Sequence, residues 1–349
     1  METVELRPGY SIARVIRGNW QLAGGHGAVA EDAALDALQA AFDAGLTTFD
    51  CADIYTGVEA LIGLFRRRLR DTRGAEAAAR LRVHTKLVPD LERLATLDRP
   101  HLEAIVDESL RRLGVERLDL VQFHWWDYAV PGAVDGMLAL ADIARAGKVH
   151  LVGATNFDTP HTAAILAAGV PLASMQTQYS LLDARPENGL AALAAANDVS
   201  LLAYGTVAGG FLGDRWLGQS EPEQPLENRS LVKYKLIIDE FGGWDLFQAL
   251  LAACRGIADR HGVDIATVAS RAVLDRPGVA AVIVGGRDTA HATANAAVGA
   301  LRLTGRDRAE LDAVLSQRRG PAGDTYTLER DRTGRHGSIM KYNLNSTPH

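Results

Sequence analysis

The strongest constraint on this chain is a repeat of element types. Short runs rich in Val, Ile, Leu and Thr alternate with longer Ala/Leu-rich stretches of helical period. Eight such runs fall near residues 13–20, 47–51, 82–86, 119–124, 150–154, 174–178, 200–204 and 280–284. Helical stretches lie between them at 31–44, 58–69, 99–113, 134–146, 160–168, 187–196 and 246–261, and the last run is followed by another at 290–301. This is the pattern of repeated βα units around a parallel sheet. It predicts an α/β fold, a single (β/α)8 barrel of the TIM type over residues 1–317. Gly45, Gly114, Gly147 and Gly169 each follow a helical stretch, where a left-handed residue is wanted to end it. Two segments break the alternation: a long loop after the seventh strand, 205–245, and a Gly- and charge-rich C-terminal tail, 318–349. Long insertions in a compact domain are functional lids or disordered. Both outcomes stay open for the tail, since Met340, Tyr342 and Leu344 can dock over the substrate site while 330–337 reads as solvated.

Composition narrows the class. With 349 residues, 47% of them apolar, the chain can bury a large core. A net charge of −6 gives no electrostatic footprint for nucleic acid or an acidic membrane surface. Cys51 and Cys254 are the two cysteines, too few for a disulfide framework or a cysteine-rich metal site, which suits a reducing compartment. Glu2, Glu5 and Pro8 stand where a signal peptide would carry its apolar core, and no run approaches the ~20 apolar residues of a membrane helix. A cytoplasmic location is the expectation.

Four polar residues stand where apolar runs end: Asp50 after 46–49, Tyr55 just beyond it, Lys86 closing 81–85 and His124 closing 118–123. Strands of a parallel barrel aim their C-terminal ends at one face, where catalytic groups gather from several strands. A lysine at a buried strand end is costly to desolvate unless an acid neutralises it, and Asp50 is the natural partner. A cation beside Tyr55 favours the phenolate and draws the phenol down from its usual ~10 towards working pH. His124 can then hydrogen-bond the reacting oxygen. The set transfers a proton without a metal or a covalent nucleophile.

At the stretches 49–55, 85–86 and 121–125 the chain resembles the aldo-keto reductase superfamily, and the resemblance runs from about residue 17 to 301. It implies a catalytic tetrad on an eight-stranded α/β barrel: Tyr55 as general acid, Lys86 lowering its pKa, Asp50 orienting Lys86, and His124 orienting and polarising the carbonyl. It also implies a nicotinamide site, with Asn156 and Gln176 on the carboxamide and Tyr204 stacked on the ring. The loops after strands seven and eight, Gly205 to Leu212 and Gly285 to Asp288, can cradle the pyrophosphate on backbone N–H groups. Arg287 offers a bidentate cation for a 2′-phosphate, which favours NADPH over NADH. Gly286, His291 and Asn295 resemble the rest of the adenosine-phosphate motif. Two positions depart from the pattern: Ala294 stands where an acid is common, and Gly205-Thr206 replaces the more usual Ser-Pro after Tyr204.

Trp20, Trp125 and Trp126 are the candidate substrate walls, suited to a hydrophobic or ring-bearing aldehyde or ketone. The leading expectation is an NADP-dependent oxidoreductase that reduces small-molecule carbonyls to alcohols, with no metal, nucleic-acid or membrane partner. The alternative is a cofactor-binding regulatory subunit with weak or no catalysis. A metal-dependent barrel hydrolase using His84, His124 and carboxylates is a third reading, disfavoured because no H-x-H or similar ligand cluster appears.

Overall fold

The computed structural model describes residues 1–23, 30–286 and 288–345, and in it each of the eight apolar runs contributes a strand. The chain opens with a hairpin absent from the sequence expectation: β1 (Thr3–Arg7) pairs antiparallel with β2 (Tyr10–Ala13). The eight runs follow as β3 (Val15–Gly18), β4 (Thr48–Asp50), β5 (Arg82–Leu87), β6 (Leu118–Phe123), β7 (Val149–Thr155), β8 (Leu172–Gln178), β9 (Ser200–Tyr204) and β10 (Val279–Gly285). They close into one barrel in the order β10-β3-β4-β5-β6-β7-β8-β9, with every pair parallel.

Period-two alternation sorts the strands' side chains between two cores. Phe49, Val83, Val121 and Phe123 point outward and pack with helix residues such as Phe65, Leu69 and Met137. Ile16, Leu120, Leu202 and Ile283 belong to a second cluster that includes Leu6, Tyr10 and Ile12 of the hairpin. The hairpin thereby floors the barrel at its N-terminal end, where the Tyr10 hydroxyl meets His84 Nε2 at 3.2 Å. Polar residues nearer the strands' C-terminal ends are left to line the opposite mouth.

Most helices fall where expected. Gly114 (φ 64) ends the helix Arg99–Leu113 in the left-handed region, so the C′ reading of that glycine holds. The helix expected at 58–69 runs further, Val58–Ala79, across a left-handed Gly74 (φ 86). Three longer helices went unread. Arg229–Phe241 carries a clear helical stripe, Leu231, Tyr234, Ile238 and Phe241, and Asn228 caps it by accepting from Leu231 N at 3.1 Å. The polar, proline-bearing stretch before it masked that signal. Ile265–Leu274 has nine of its ten residues buried. Gly305–Leu315 is set by a capping box of Thr304 and Asp307. No helix among the described residues is long and apolar enough to cross a membrane.

The tail packs across the barrel mouth. Glu329, 1% exposed, forms a two-pronged pair with buried Arg185 (2.9 and 3.0 Å), which also binds Asp183 at 2.7 Å. Arg330, expected to be solvated, donates instead to the carbonyls of Asn156 and Trp125, both at 2.8 Å. Tyr342 packs edge-on against Trp126 at 5.1 Å.

Burial by itself would raise the Glu329 carboxyl, but Arg185, with a contribution from Lys233, pulls it down to about 2 from an ordinary 4.5. A depressed carboxylate stabilises the docked state above its unfolded pKa and loses that contribution as pH falls through the folded value. Amide exchange protection of residues 325–345 should therefore decline between about pH 4.5 and pH 2. Glu329→Ala, which strands part of a buried guanidinium, should remove protection at neutral pH and cost about 3–5 kcal/mol in chemical denaturation. Unchanged tail protection in that variant would refute the anchoring role.

Candidate active site

Register places the polar strand ends together. Asp50 lies opposite His84, and Lys86 opposite Gln122, so alternation turns Asp50, Lys86 and Gln122 into the barrel interior. Lys86 Nζ donates to Asp50 Oδ2 at 2.7 Å and to the Cys51 carbonyl at 2.8 Å. The second carboxylate oxygen accepts from Gln176 Nε2 at 2.6 Å and Gln122 Nε2 at 3.2 Å. Both oxygens of the carboxylate are engaged, which is what a buried charge requires. Burial alone would lower the lysine pKa, but Asp50 and then Tyr55 outweigh it and the ammonium is held charged.

Tyr55 lies with its ring centre 4.9 Å from Lys86 Nζ. Its phenol does not reach the lowered pKa expected from the sequence. Burial raises it, Lys86 pulls against that without reversing it, and the net direction is upward. The phenol therefore holds its proton through neutral pH. His124 stands just beyond β6, its Nδ1 3.2 Å from the Thr155 carbonyl. Burial first, and Arg330 second, lower its pKa to about 3, so the ring is neutral. A carbonyl only accepts, so the ring's one proton belongs on Nδ1 and Nε2 is left as an acceptor. Nε2 is buried without a hydrogen-bond partner among the described residues.

Asp50, Tyr55, Lys86 and His124 all border one cavity of about 300 Å³, together with Asn156, Gln176, Tyr204 and Gly205. Asn156 sits in the left-handed region (φ 63), and its Oδ1 accepts from the Tyr204 hydroxyl at 2.9 Å. Gln176 gives its amide hydrogens to Asp50 and to Gln122 Oε1, the latter at 2.9 Å. The departure at Gly205 has a local reason. Its φ is +76, and a Cβ there would lie 2.2 Å from the Tyr234 hydroxyl, so a side chain is excluded.

Gly286, His291 and Asn295, expected at the adenosine end, border a second, much smaller pocket with Asp288. Asn295 Nδ2 holds the Gly285 carbonyl at 2.9 Å, and His291 Nδ1 contacts Asp288 at 2.7 Å. Arg287 lies outside the described residues. Arg17 of β3, 2% exposed, borders the same pocket and donates to the Gly286 carbonyl at 2.9 Å, while its Nε has no partner among the described residues.

Of the three tryptophans, Trp20 and Trp126 line the cavity. Trp20 meets Tyr55 edge-on at 4.9 Å and Trp126 meets His124 edge-on at 4.2 Å. Trp125 does not line it. Its indole is 1% exposed, packs against Phe123 and donates to the Asp127 and Val130 carbonyls, so it belongs to the scaffold rather than to a substrate wall. His84, offered above as a metal ligand, is on the barrel floor with Tyr10. Among the described residues no group of three or more His, Cys, Asp or Glu side chains is arranged to hold a metal.

The family model for the Aldo/keto reductase family matches residues 14–316. The chain belongs to the aldo/keto reductase family. As an aldo/keto reductase it is an oxidoreductase of carbonyl compounds, in a family that generally uses nicotinamide cofactors. The aldo-keto reductase YhdN of Bacillus subtilis is 23% identical over 310 residues, 88% of this chain and 91% of that one. Flagellar radial spoke protein 5 of Chlamydomonas reinhardtii is 29% identical over 260 residues, which span 64% of this chain and 49% of that protein, about half its length. The glycerol dehydrogenase AKR11B4 from Gluconobacter oxydans shares the fold, with a TM-score of 0.75 over 92% of this chain and 97% of that one at 24% identity.

Among the cavity residues of this aldo/keto reductase, Arg229, Lys233 and Tyr326 escaped the sequence reading, as did the fully buried Gln122 that binds Asp50. Gln122 could have been found from alternation with His124, two residues on. The others come from the unread helix Arg229–Phe241 and from the tail, and nothing local to those segments marks them as neighbours of Lys86.

Proposed function

We propose that the protein is an NADPH-dependent carbonyl reductase in which Tyr55 is the general acid. The observation that carries this reading is the ammonium of Lys86 held between Asp50 Oδ2 at 2.7 Å and the Tyr55 ring at 4.9 Å, in a cavity that His124 also borders. A protonated buried phenol is the state a reductive acid needs, and Lys86 stabilises the phenolate left when the proton has gone to the substrate oxygen. His124 accepts at Nε2, and so orients the hydroxyl that forms, while Tyr55 is the donor to the carbonyl. Trp20 and Trp126 wall the reacting group, and the docked tail supplies Tyr326 and Met340 to the same space.

The cofactor's residues are complementary. Asn156, with its Oδ1 engaged by Tyr204, presents amide hydrogens to the carbonyl of a carboxamide, and Gln176, with its hydrogens engaged, presents an oxygen to the carboxamide's N–H groups. The bound nicotinamide supplies the hydride. Gly205 and Gly286 let the backbone approach the phosphates, with His291 and Asn295 shaping the adenosine end. Arg287, together with Arg17, which is buried and has no carboxylate partner among the described residues, favours a ligand carrying the extra 2′-phosphate. The cofactor-binding regulatory alternative would need the same wall, but it gives no role to the Lys86-facing phenol. A cytoplasmic location accords with the two unpaired, buried cysteines.

Tyr55→Phe should abolish turnover of an aldehyde such as benzaldehyde while leaving NADPH affinity within about twofold, read by cofactor fluorescence. Retained turnover would remove Tyr55 from the chemistry. Lys86→Met should move the pH at which alcohol oxidation switches on upward, because the phenol loses the cation that opposes its burial; an unmoved profile would contradict that role. Arg287→Ala should weaken NADPH by about 1.5–3 kcal/mol and NADH much less. Equal losses for the two cofactors, measured by titration, would mean that Arg287 does not read the 2′ position.

A further inference from the structure

The cavity carries positive charge that the proton-transfer chemistry does not use. Lys86 is balanced by Asp50. Lys233 borders the same cavity, and its amine faces three tyrosine rings: Tyr204 at 5.3 Å, Tyr234 at 5.4 Å and Tyr326 at 5.7 Å. Among the described residues no carboxylate pairs with it. The acid that acts on it most strongly is Glu329, and both oxygens of that carboxylate are taken by Arg185 at 2.9 and 3.0 Å. Aromatic faces attract a cation but supply no counter-charge, so a desolvated ammonium boxed by rings is a receptor for an anion.

The position of the box decides which anion. Tyr326 stands edge-on to His124 at 5.8 Å and also faces Lys233, so one ring separates the imidazole beside the reacting oxygen from the amine. Cofactor phosphates have another cation at hand. Arg229, one turn earlier on the same helix, lines the cavity at that helix's N-terminal end, where backbone N–H groups favour an anion, and it too has no carboxylate partner among the described residues. Two cations four residues apart thus face one cavity, and Lys233 is the one that shares the Tyr326 ring with His124. Lys341 also borders the cavity, but its side chain is solvent-exposed and its charge is screened.

We propose that the substrate is itself an anion, an aldehyde or ketone whose carboxylate binds Lys233 and lies about one aromatic ring's width from the carbonyl held at Tyr55 beside His124. The proposal rests on the carbonyl-reductase reading above and adds its substrate class. The preference arises because a neutral carbonyl leaves the half-buried Lys233 charge unanswered, whereas a carboxylate completes it with a charge-assisted hydrogen bond.

The test compares 4-carboxybenzaldehyde with benzaldehyde as substrates of the full chain with NADPH, and 4-(hydroxymethyl)benzoate with benzyl alcohol as ligands of the protein–NADP+ complex, followed by tryptophan fluorescence. Wild type should favour the carboxylate in kcat/KM and in Kd by about tenfold or more. Lys233→Met should erase most of that ratio, Lys233→Arg should restore it, and NADPH affinity should change by less than about threefold. Equal handling of the charged and neutral compounds by wild type, or a preference that survives Lys233→Met, overturns the proposal. So does a tenfold loss of NADPH affinity in Lys233→Met with the preference intact, which would assign Lys233 to the cofactor's phosphates. Lys233-dependent binding of 4-(hydroxymethyl)benzoate without turnover of either aldehyde would support the anion site and sink the reductase reading. Turnover of benzaldehyde without any Lys233-dependent preference would do the reverse.

Discussion

The buried pair of Asp50 and Lys86 is the interaction on which the barrel mouth depends. Neither charge is tolerable there alone, since desolvating an isolated ion costs several kcal/mol. Together, at 2.7 Å, they form a dipole whose remaining acceptor sites are filled by Gln122 and Gln176. Four strands, β4, β5, β6 and β8, contribute one residue each to that knot. A slip of one residue in any of them would turn its polar side chain outward into the packing against the helices. The pair therefore ties strand register to the placement of the phenol and of the Gln176 amide.

From that knot the electrostatics of the site follow in a graded way. Lys86 stays charged because Asp50 outweighs burial, and it opposes the upward push that burial exerts on Tyr55 without overcoming it. His124, further from the carboxylate and nearer Arg330, stays neutral. One site thus holds a cation, a protonated phenol and a neutral imidazole within one cavity, each fixed by how much counter-charge its burial is matched with. Lys233 is the exception, matched by ring faces instead of a carboxylate.

The tail extends the same logic to long range. Glu329 and Arg330 lie 144 and 174 residues from the groups they bind, Arg185 and the Asn156 carbonyl. Their contacts bring Tyr326 against His124 and Lys233, and Tyr342 against Trp126. A surface segment rich in charge has become part of the cavity wall because its charges meet buried partners of opposite sign.

Local sequence determined the repeat. Apolar runs of strand length, helical stripes and a glycine such as Gly114 are written within windows of about 20 residues, so the barrel and the residues at its strand ends could be read directly. Asp50, Lys86 and His124 were legible because a polar residue ending an apolar run is itself a local signal. What depended on contacts between distant segments was not. The hairpin β1–β2 finds its apolar partners only under the closed barrel. Trp125 looked like a cavity wall beside Trp126, but adjacent residues diverge, and only packing against Phe123 decided which one turned inward. The direction of the Tyr55 shift depended on how burial compares with one nearby cation, and the docking of the tail depended on Arg185 being left with a charge to satisfy. Sequence thus set the period and the chemistry of the strand ends, whereas burial and charge balance, which exist only once the chain has closed on itself, decided what those groups can do.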